Sequence, residues 1–423
     1  MTDRPLLALD AFDPERVTLP HGCEVTLRRA VAMSEHTLAM GTVGRITGHP
    51  APGRVEVTVA GRGCLDLARA DVAPRTDGQL AHAVRRARVE AALLPCALAR
   101  ATVGSRAWNL SHEGSDHDTR GVLLWPFSWA SALPPQKQGA VPDVVVSADG
   151  SHTLWEVGRT IEQALRADPN TLEMLFVPSV EHLDPLAATL FETREVFVSQ
   201  RLYGSFGRYA VAQAKKLRQS LRLARHRDAV LGWLRNDDAL LLDAVAARLA
   251  SEAVEPSGNP KDDTLRAKQY LKQLYRSMFD QGLLAACSFE ALATFARTEA
   301  SAFDLPRELR PKNAYNLLRI VACAVQWLRT GTPIIATEGA LRDRLLSIKR
   351  GEVDLDTALR WTDEAAADLD PARDASALPE HPNDEAAAQL LLRLREEAAR
   401  RWLHAADGPW SRDGAADPRS LLR

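Results

Sequence analysis

The stretch GSRAWNLSHEGSDHDTRGVLLWP, residues 104–126, decides how the chain is read. Asp116 and Asp118 stand two apart at the head of an apolar run, Val122 to Leu124. On a strand, alternate side chains project from one face, so the two carboxylates are expected to converge on one point. Oxygen ligands of this kind suit Mg²⁺. A pair of such ions can clamp the attacking and leaving oxygens of a phosphoryl displacement. The pair alone decides nothing, because a chain with 55 acids in 423 residues supplies about seven acid-x-acid pairs by chance.

Context separates this pair from the others. Immediately upstream, LARATV (98–103) reads as a strand, and Gly104-Ser105 follows it and opens the helix-like RAWNL. Glycine lets a backbone approach a phosphate closely, since it has no Cβ. The amides and hydroxyl of such a turn are expected to hold the phosphates of a nucleotide. Gly-Ser recurs at 150 and 204, so it too is weak alone. The ordered set of strand, Gly-Ser, helical turn and Asp-x-Asp strand puts a metal site beside a triphosphate site.

Working outward, residues 20–75 read as short strands with period-two alternation, as in Val55, Val57 and Val59. Turns fall at Gly41, His49-Pro50, Pro52-Gly53 and Gly61 to Gly63, and the rhythm resembles a small SH3-like β-barrel. From Asp77 the texture becomes α/β. A helix spans Gln79–Leu94 and is stopped by Pro95, and further strands are expected at 144–146 and around Leu154. The Pro-rich excursion 128–143 reads as a surface loop. Beyond about 195 the pattern is helical, with apolar stripes Leu217/Leu221/Ala224 and Leu271/Leu274/Met278. Polar breaks fall at 254–263 and 370–384, and EAAAQLLLRLREEAARRWL (385–403) reads as a last helix before a loose tail.

Composition narrows the function classes. A net charge of −2 with 46% apolar and 26% charged residues excludes a chain coated in positive charge, while leaving local basic patches open. Cys23, Cys64, Cys96, Cys287 and Cys323 form no CxxC pair and read as reduced thiols. The acidic start TDRPLLALDAFDPE is unlike a secretion signal, and no run approaches the ~18 apolar residues of a membrane span. A cytoplasmic protein without membrane association is expected.

The motif GSRAWNLSHEGSDHDTRGV resembles the Gly-Ser…Asp-x-Asp signature of the DNA polymerase β superfamily, and specifically its RNA-ligase-associated, RNA-repair members. ADPNTLEMLF (167–176), YGSFGRYAVAQAKKL (203–217), NAYNLLRI (313–320) and LLSIKRGEVDL (345–355) agree with that resemblance, which covers about residues 80–400. With the strand rhythm before it and the composition after it, an α+β multidomain chain is expected: an SH3-like barrel over 1–76, a nucleotidyltransferase core over 77–195, a helical domain over 196–405 and a loose tail over 406–423. The resemblance implies transfer of a nucleoside monophosphate from an NTP to a hydroxyl, with Mg²⁺ or Mn²⁺ as cofactor and RNA as the acceptor. Gly104 and Ser105 would then hold the triphosphate, and Asp116 and Asp118 the metals.

A third carboxylate, metal ligand and base, is expected on a neighbouring strand. Glu156 in TLWEV is the first candidate and Glu173 in NTLEML the second. His117 should face away from the aspartates. Arg120 falls on the carboxylate face, to orient the acids or touch a phosphate.

Lys215, Arg218, Arg222 and Arg225 make a basic stripe whose Lys215 and Lys216 fall in a matching stretch, so a closing lysine is expected there. Lys268, Lys272 and Arg276 read as a solvated face. Lys312, Tyr315 and Arg319 share a helical face that fits base stacking and phosphate contact as well as it fits an ordinary surface. A protein or small-molecule acceptor stays open, as does a catalytically silent RNA- or partner-binding protein.

Overall fold

The computed structural model describes residues 16–33, 37–60, 62–112, 115–131, 142–237, 239–252, 259–280, 284, 286–298, 309 and 311–415. Most of the Pro-rich excursion, the first part of the 254–263 break and the last eight residues lie outside the described residues.

The N-terminal unit contains β1 (Glu24–Leu27), β2 (Val31–Ala32), β3 (Thr37–Leu38), β4 (Val43–Gly48), β5 (Arg54–Val59), β6 (Gly63–Ala68) and β7 (Val72–Pro74). The alternation seen in the sequence sorts its faces: Val55, Val57 and Val59 are buried, while Arg54 and Thr58 face out. Gly44 is required on β4, because a Cβ there would lie 2.4 Å from Val57 Cγ1. Five strands pair antiparallel in the order β6-β5-β4-β1-β7, and β2 pairs with β3. Among the described residues no β6–β7 pairing closes this sheet, so it is an open sheet rather than the closed barrel expected.

Helix α1 (Asp77–Leu93), capped by Thr76, bridges to the next unit. Its first half packs Leu80, Ala83 and Val84 on the N-terminal sheet, and its second half adds Val89 and Leu93 to a separate cluster with Leu123, Val145 and Leu154. There follow β8 (Ala97–Thr102), α2 (Gly104–Ala107), β9 (Thr119–Leu123), α3 (Phe127–Ala130), β10 (Val144–Val146), β11 (His152–Glu156), α4 (Val157–Leu165), α5 (Pro169–Phe176), β12 (Val180–His182) and α6 (Leu186–Glu192). The sheet order is β10-β11-β9-β8-β12, with β11 parallel to β9 and the other neighbours antiparallel.

A π-helical turn, Tyr203–Arg208, leads into α7 (Tyr209–Asn236), followed by α8 (Leu242–Glu252), α9 (Pro260–Asp280), α10 (Phe289–Thr298), α11 (Pro311–Thr330), α12 (Gly339–Lys349), α13 (Leu355–Ala366), α14 (Leu369–Asp374) and α15 (Asp384–His404). The end of α7 and helices α8–α10 bury their own cluster, with Val230, Leu271 and Leu292 at its centre.

Across the 195/196 boundary, Leu98, Val122 and Trp155 of the sheet share one buried cluster with Leu317, Trp327, Leu359 and Leu390. In the described part of the tail, Trp410 is 7% exposed and donates its Nε1–H to Leu124 O at 2.8 Å. An indole that reaches a core carbonyl anchors the segment around it. Among the described residues no helix is long and apolar enough to cross a membrane.

Candidate active-site cleft

The β8–β9 pairing continues one step past the strands, with Val103 N–H donating to Asp118 O at 3.0 Å. This sets Gly104 directly against Asp118. Gly104 has φ +66°, and a Cβ on it would lie 3.1 Å from Asp118 Oδ2. The left-handed backbone favours glycine, and a Cβ would also press on the Asp118 carboxylate.

Asp116 precedes β9, so it is positioned by the loop rather than by strand alternation. That loop is braced from several sides. Leu110 N–H donates to Ser105 O at 2.8 Å, Arg106 Nη2 to Ser115 O at 3.0 Å, and His112 N–H to Ser115 Oγ at 2.9 Å. From α12, Lys349 Nζ donates to Leu110 O at 2.8 Å. Gly104, Ser105, Asp116 and Asp118 line one cleft of about 1020 Å³.

At the cleft floor lies Glu173 of α5. Its Oε1 accepts from Gly104 N–H (3.0 Å), Trp108 Nε1 (2.7 Å) and Arg319 Nη1 (3.3 Å), and its Oε2 from Arg120 Nη1 (3.1 Å). Burial pushes this carboxyl up, but Arg319, Arg120, Trp108 and the Gly104 amide together outweigh it and hold the group below its usual range. Arg319 also stacks over Trp108, its guanidinium carbon 4.3 Å from the ring centre. Glu173 thus ties the glycine turn, β9 and α11 to one point. It occupies the amide of Gly104, leaving Ser105 as the member of the expected phosphate seat that fronts the cleft.

Glu156 is not part of this arrangement. The parallel register pairs it with Leu123, five residues beyond Asp118, at the opposite end of β9. There it caps α4 through Gly158 N–H and pairs with Arg395 of α15 at 2.7 Å. The third-carboxylate role expected for it fails on register, and Thr153, not an acid, stands opposite Arg120 on β11.

The remaining residues divide. Lys216, Tyr315 and Arg319 line the cleft and Lys215 does not. Tyr315 is 4% exposed and Arg319 is committed to Glu173, so neither forms the outward stacking face expected. The α7 stripe is a helix-packing seam: Arg218 pairs with Asp363 at 2.7 Å and Arg225 pairs with Asp356, both acids on α13. Lys268 pairs with Asp243 of α8 at 2.9 Å. His117 turns toward Thr102, with Nε2 and Oγ1 3.5 Å apart.

Sequence reasoning missed Lys349, although it lies in the SIKRGEVDL stretch. Burial lowers its pKa, as does Lys312 beside it, against a smaller opposing effect of Asp116. Lys312 Nζ lies 4.0 Å from Asp116 Oδ2. Also unanticipated is a wall of carboxamides, Asn170, Gln213, Asn313 and Asn316.

Five cationic side chains (Arg120, Lys216, Lys312, Arg319, Lys349) face three carboxylates across the cleft. The surplus favours a polyanion. Among the described residues no group of three or more His, Cys, Asp or Glu is disposed to hold a metal by itself. Mg²⁺ usually takes one or two carboxylates and completes its shell with water and substrate phosphates, so Asp116 and Asp118 fit an ion that arrives with a nucleotide. Residues 74–229 match the sequence model of a family described as RNA repair pathway DNA polymerase beta family. No curated protein and no solved structure matches the chain.

Proposed function

We propose that this chain is a metal-dependent nucleotidyltransferase acting on RNA, a reading supported by the match of residues 74–229 to the RNA repair pathway DNA polymerase beta family. The observation that carries the reading is Gly104 held at φ +66° against the Asp118 carboxylate, in a cleft shared with Asp116 and a surplus of cations. In the proposed reaction an acceptor hydroxyl oxygen attacks the α-phosphorus of an NTP. The bond to the α–β bridging oxygen breaks, pyrophosphate leaves, and the hydroxyl proton passes to water in the open cleft.

Asp116 and Asp118 would hold Mg²⁺ or Mn²⁺, which would supply charge neutralisation at the phosphates. Ser105 offers its amide and hydroxyl to the triphosphate. Lys216, Lys312 and Lys349 neutralise the charge that builds on the leaving pyrophosphate. Arg120 and Arg319 act at one remove, by fixing Glu173 and through it Gly104.

A second reading, a silent RNA- or partner-binding protein, draws on one observation: the third carboxylate lining the cleft, Glu173, is already held by two arginines. A protein or small-molecule acceptor is the other alternative. Labelled-NTP transfer with Mg²⁺ or Mn²⁺, offered RNA pools and total protein, separates them. Label should reach RNA with the wild type and not with the Asp116→Ala/Asp118→Ala double variant. Equal signals from the two would end the catalytic reading, and label on protein would change the acceptor.

A further inference from the structure

The main cleft sorts its lining by charge. Lys312 and Lys349 stand at the aspartate end, with Lys312 Nζ 4.0 Å from Asp116 Oδ2 and Lys349 Nζ 3.4 Å from Ser115 Oγ. One and two turns farther along α11 the lining side chains are Asn316 and Ile320, while Arg319 beside them is bound to Glu173. We infer that this uncharged end seats the base of the incoming nucleotide and selects adenine, with Gln213 of α7 and Asn316 of α11 deciding the choice. The inference rests on the nucleotidyltransferase reading for the presence of a nucleoside triphosphate, and it names which one.

Three observations support it. First, helix rise brings the carboxamides together. Phe206 packs edge-on to Trp327, their ring centres 5.9 Å apart. From that contact the chain runs forward through α7 and backward through α11, and both stretches line the cleft. Gln213 and Ile320 each lie seven residues from it, roughly 10 Å of helix, which sets them level with one another. Lys216 falls farther on, toward Lys312, and so sides with the phosphates.

Second, the amides are available. Among the described residues, the side chains of Asn170, Gln213 and Asn316 have no hydrogen-bond partner within the protein. Gln213 and Asn316 are half-buried, where a polar group left without a partner costs stability. Asn170, at the start of α5, lines the cleft with them.

Third, the chemistry of this end fits one base. A carboxamide pairs bidentately with the adjacent amine and ring nitrogen of adenine, whereas guanine is best read by Arg or Lys and cytosine by Asp or Glu. Arg319 and Glu173 occupy each other and serve neither. Adenine presents its amine beside a ring nitrogen on two sides, so amides from two helices can pair with it at once. The lone ring N–H of uracil can serve only one. Tyr209, 49% exposed, directly follows the π-helical turn and offers its ring for stacking.

The test titrates ATP, GTP, CTP and UTP separately, each with Mg²⁺, into the full chain and follows binding by calorimetry. The wild type should bind ATP about thirtyfold or more tightly than the other three, the discrimination of two bidentate pairs. Gln213→Leu and Asn316→Ala should each weaken ATP about fivefold or more and leave the other three where they were. Lys312→Ala should weaken all four alike and keep their ratios.

Equal binding of the four nucleotides, a preference for another base, or an ATP preference that either variant keeps in full overturns the assignment and leaves the transferase reading in place. ATP selection that both variants lose, with no label transferred to any acceptor, upholds the adenine seat and removes the transferase reading. No binding of any nucleotide by the wild type overturns both.

Discussion

At the scale of single residues, the site is organised around one buried carboxylate. Glu173 gathers donors from the glycine turn, from Trp108, from β9 and from α11, and its side chain is 6% exposed. Removing one partner of a buried charge pair costs about 3–5 kcal/mol, because the opposing charge stays desolvated and unpaired. Glu173→Gln leaves Arg120 and Arg319 in that state, so urea unfolding should show a loss of that size. A loss below about 1 kcal/mol would show that the carboxylate does not hold the turn to α11. The sequence carries the pieces on the motif itself, Gly104, Ser105, Asp116 and Asp118, since each sits at a fixed spacing from the next. It does not choose between Glu156 and Glu173. Both acids follow apolar residues, and what separates them is a parallel register that puts Glu156 against Leu123. Register is a long-range property, invisible to the alternation that locates a strand.

Among elements, the same division between local and distant information recurs. The period-two pattern of β5 and the Pro95 stop of α1 are legible because each is decided within a few residues. The basic stripe of α7 is not, because its partners, Asp356 and Asp363, lie more than 130 residues on. The turn between β10 and β11 offers a test at this scale. Burial alone would raise the Asp149 pKa, but the hydroxyls of Ser147 and Ser151 and the Ser151 amide draw it down to about 2. A depressed carboxylate contributes stability that is complete above its unfolded pKa, ~3.9, and is lost as pH falls through the folded one. Asp149 is exposed, so screening reduces the contribution to about 1 kcal/mol. Asp149→Asn should therefore be less stable than the wild type at pH 6, and the two denaturation midpoints should converge as pH falls from about 4 to 2. A gap that persists at pH 2 would place the effect elsewhere than in the charge.

For the molecule as a whole, the question is what makes a sheet and a distant set of helices into one body. The cleft is walled by the segment between β8 and β9, with Arg120 of β9, on one side and by α7, α11 and α12 on the other, so its width depends on how firmly the helices are held. The shared core of Leu98, Val122, Leu317 and Trp327 supplies most of that hold. The chain then returns to fasten it. Helix α15 pairs Arg395 with Glu156 and Arg401 with Asp184, each at 2.7 Å, and Trp410 beyond it donates to Leu124 O. The Arg401 guanidinium carbon lies 4.8 Å from the Trp410 ring centre, which links the ion pair to the indole. Glu156, the acid that the sequence offers first for catalysis, is thus one of three ties by which the C-terminal segment clasps the sheet. Removing a buried tryptophan costs about 3–5 kcal/mol. Trp410→Ala should lower stability by that amount, and deletion of everything after Ala405 should lower it at least as far. In both forms the sheet and the helices that share its core should still unfold together. A truncated chain as stable as the wild type would mean that the tie at Leu124 is incidental, and that α15 alone holds the segment in place.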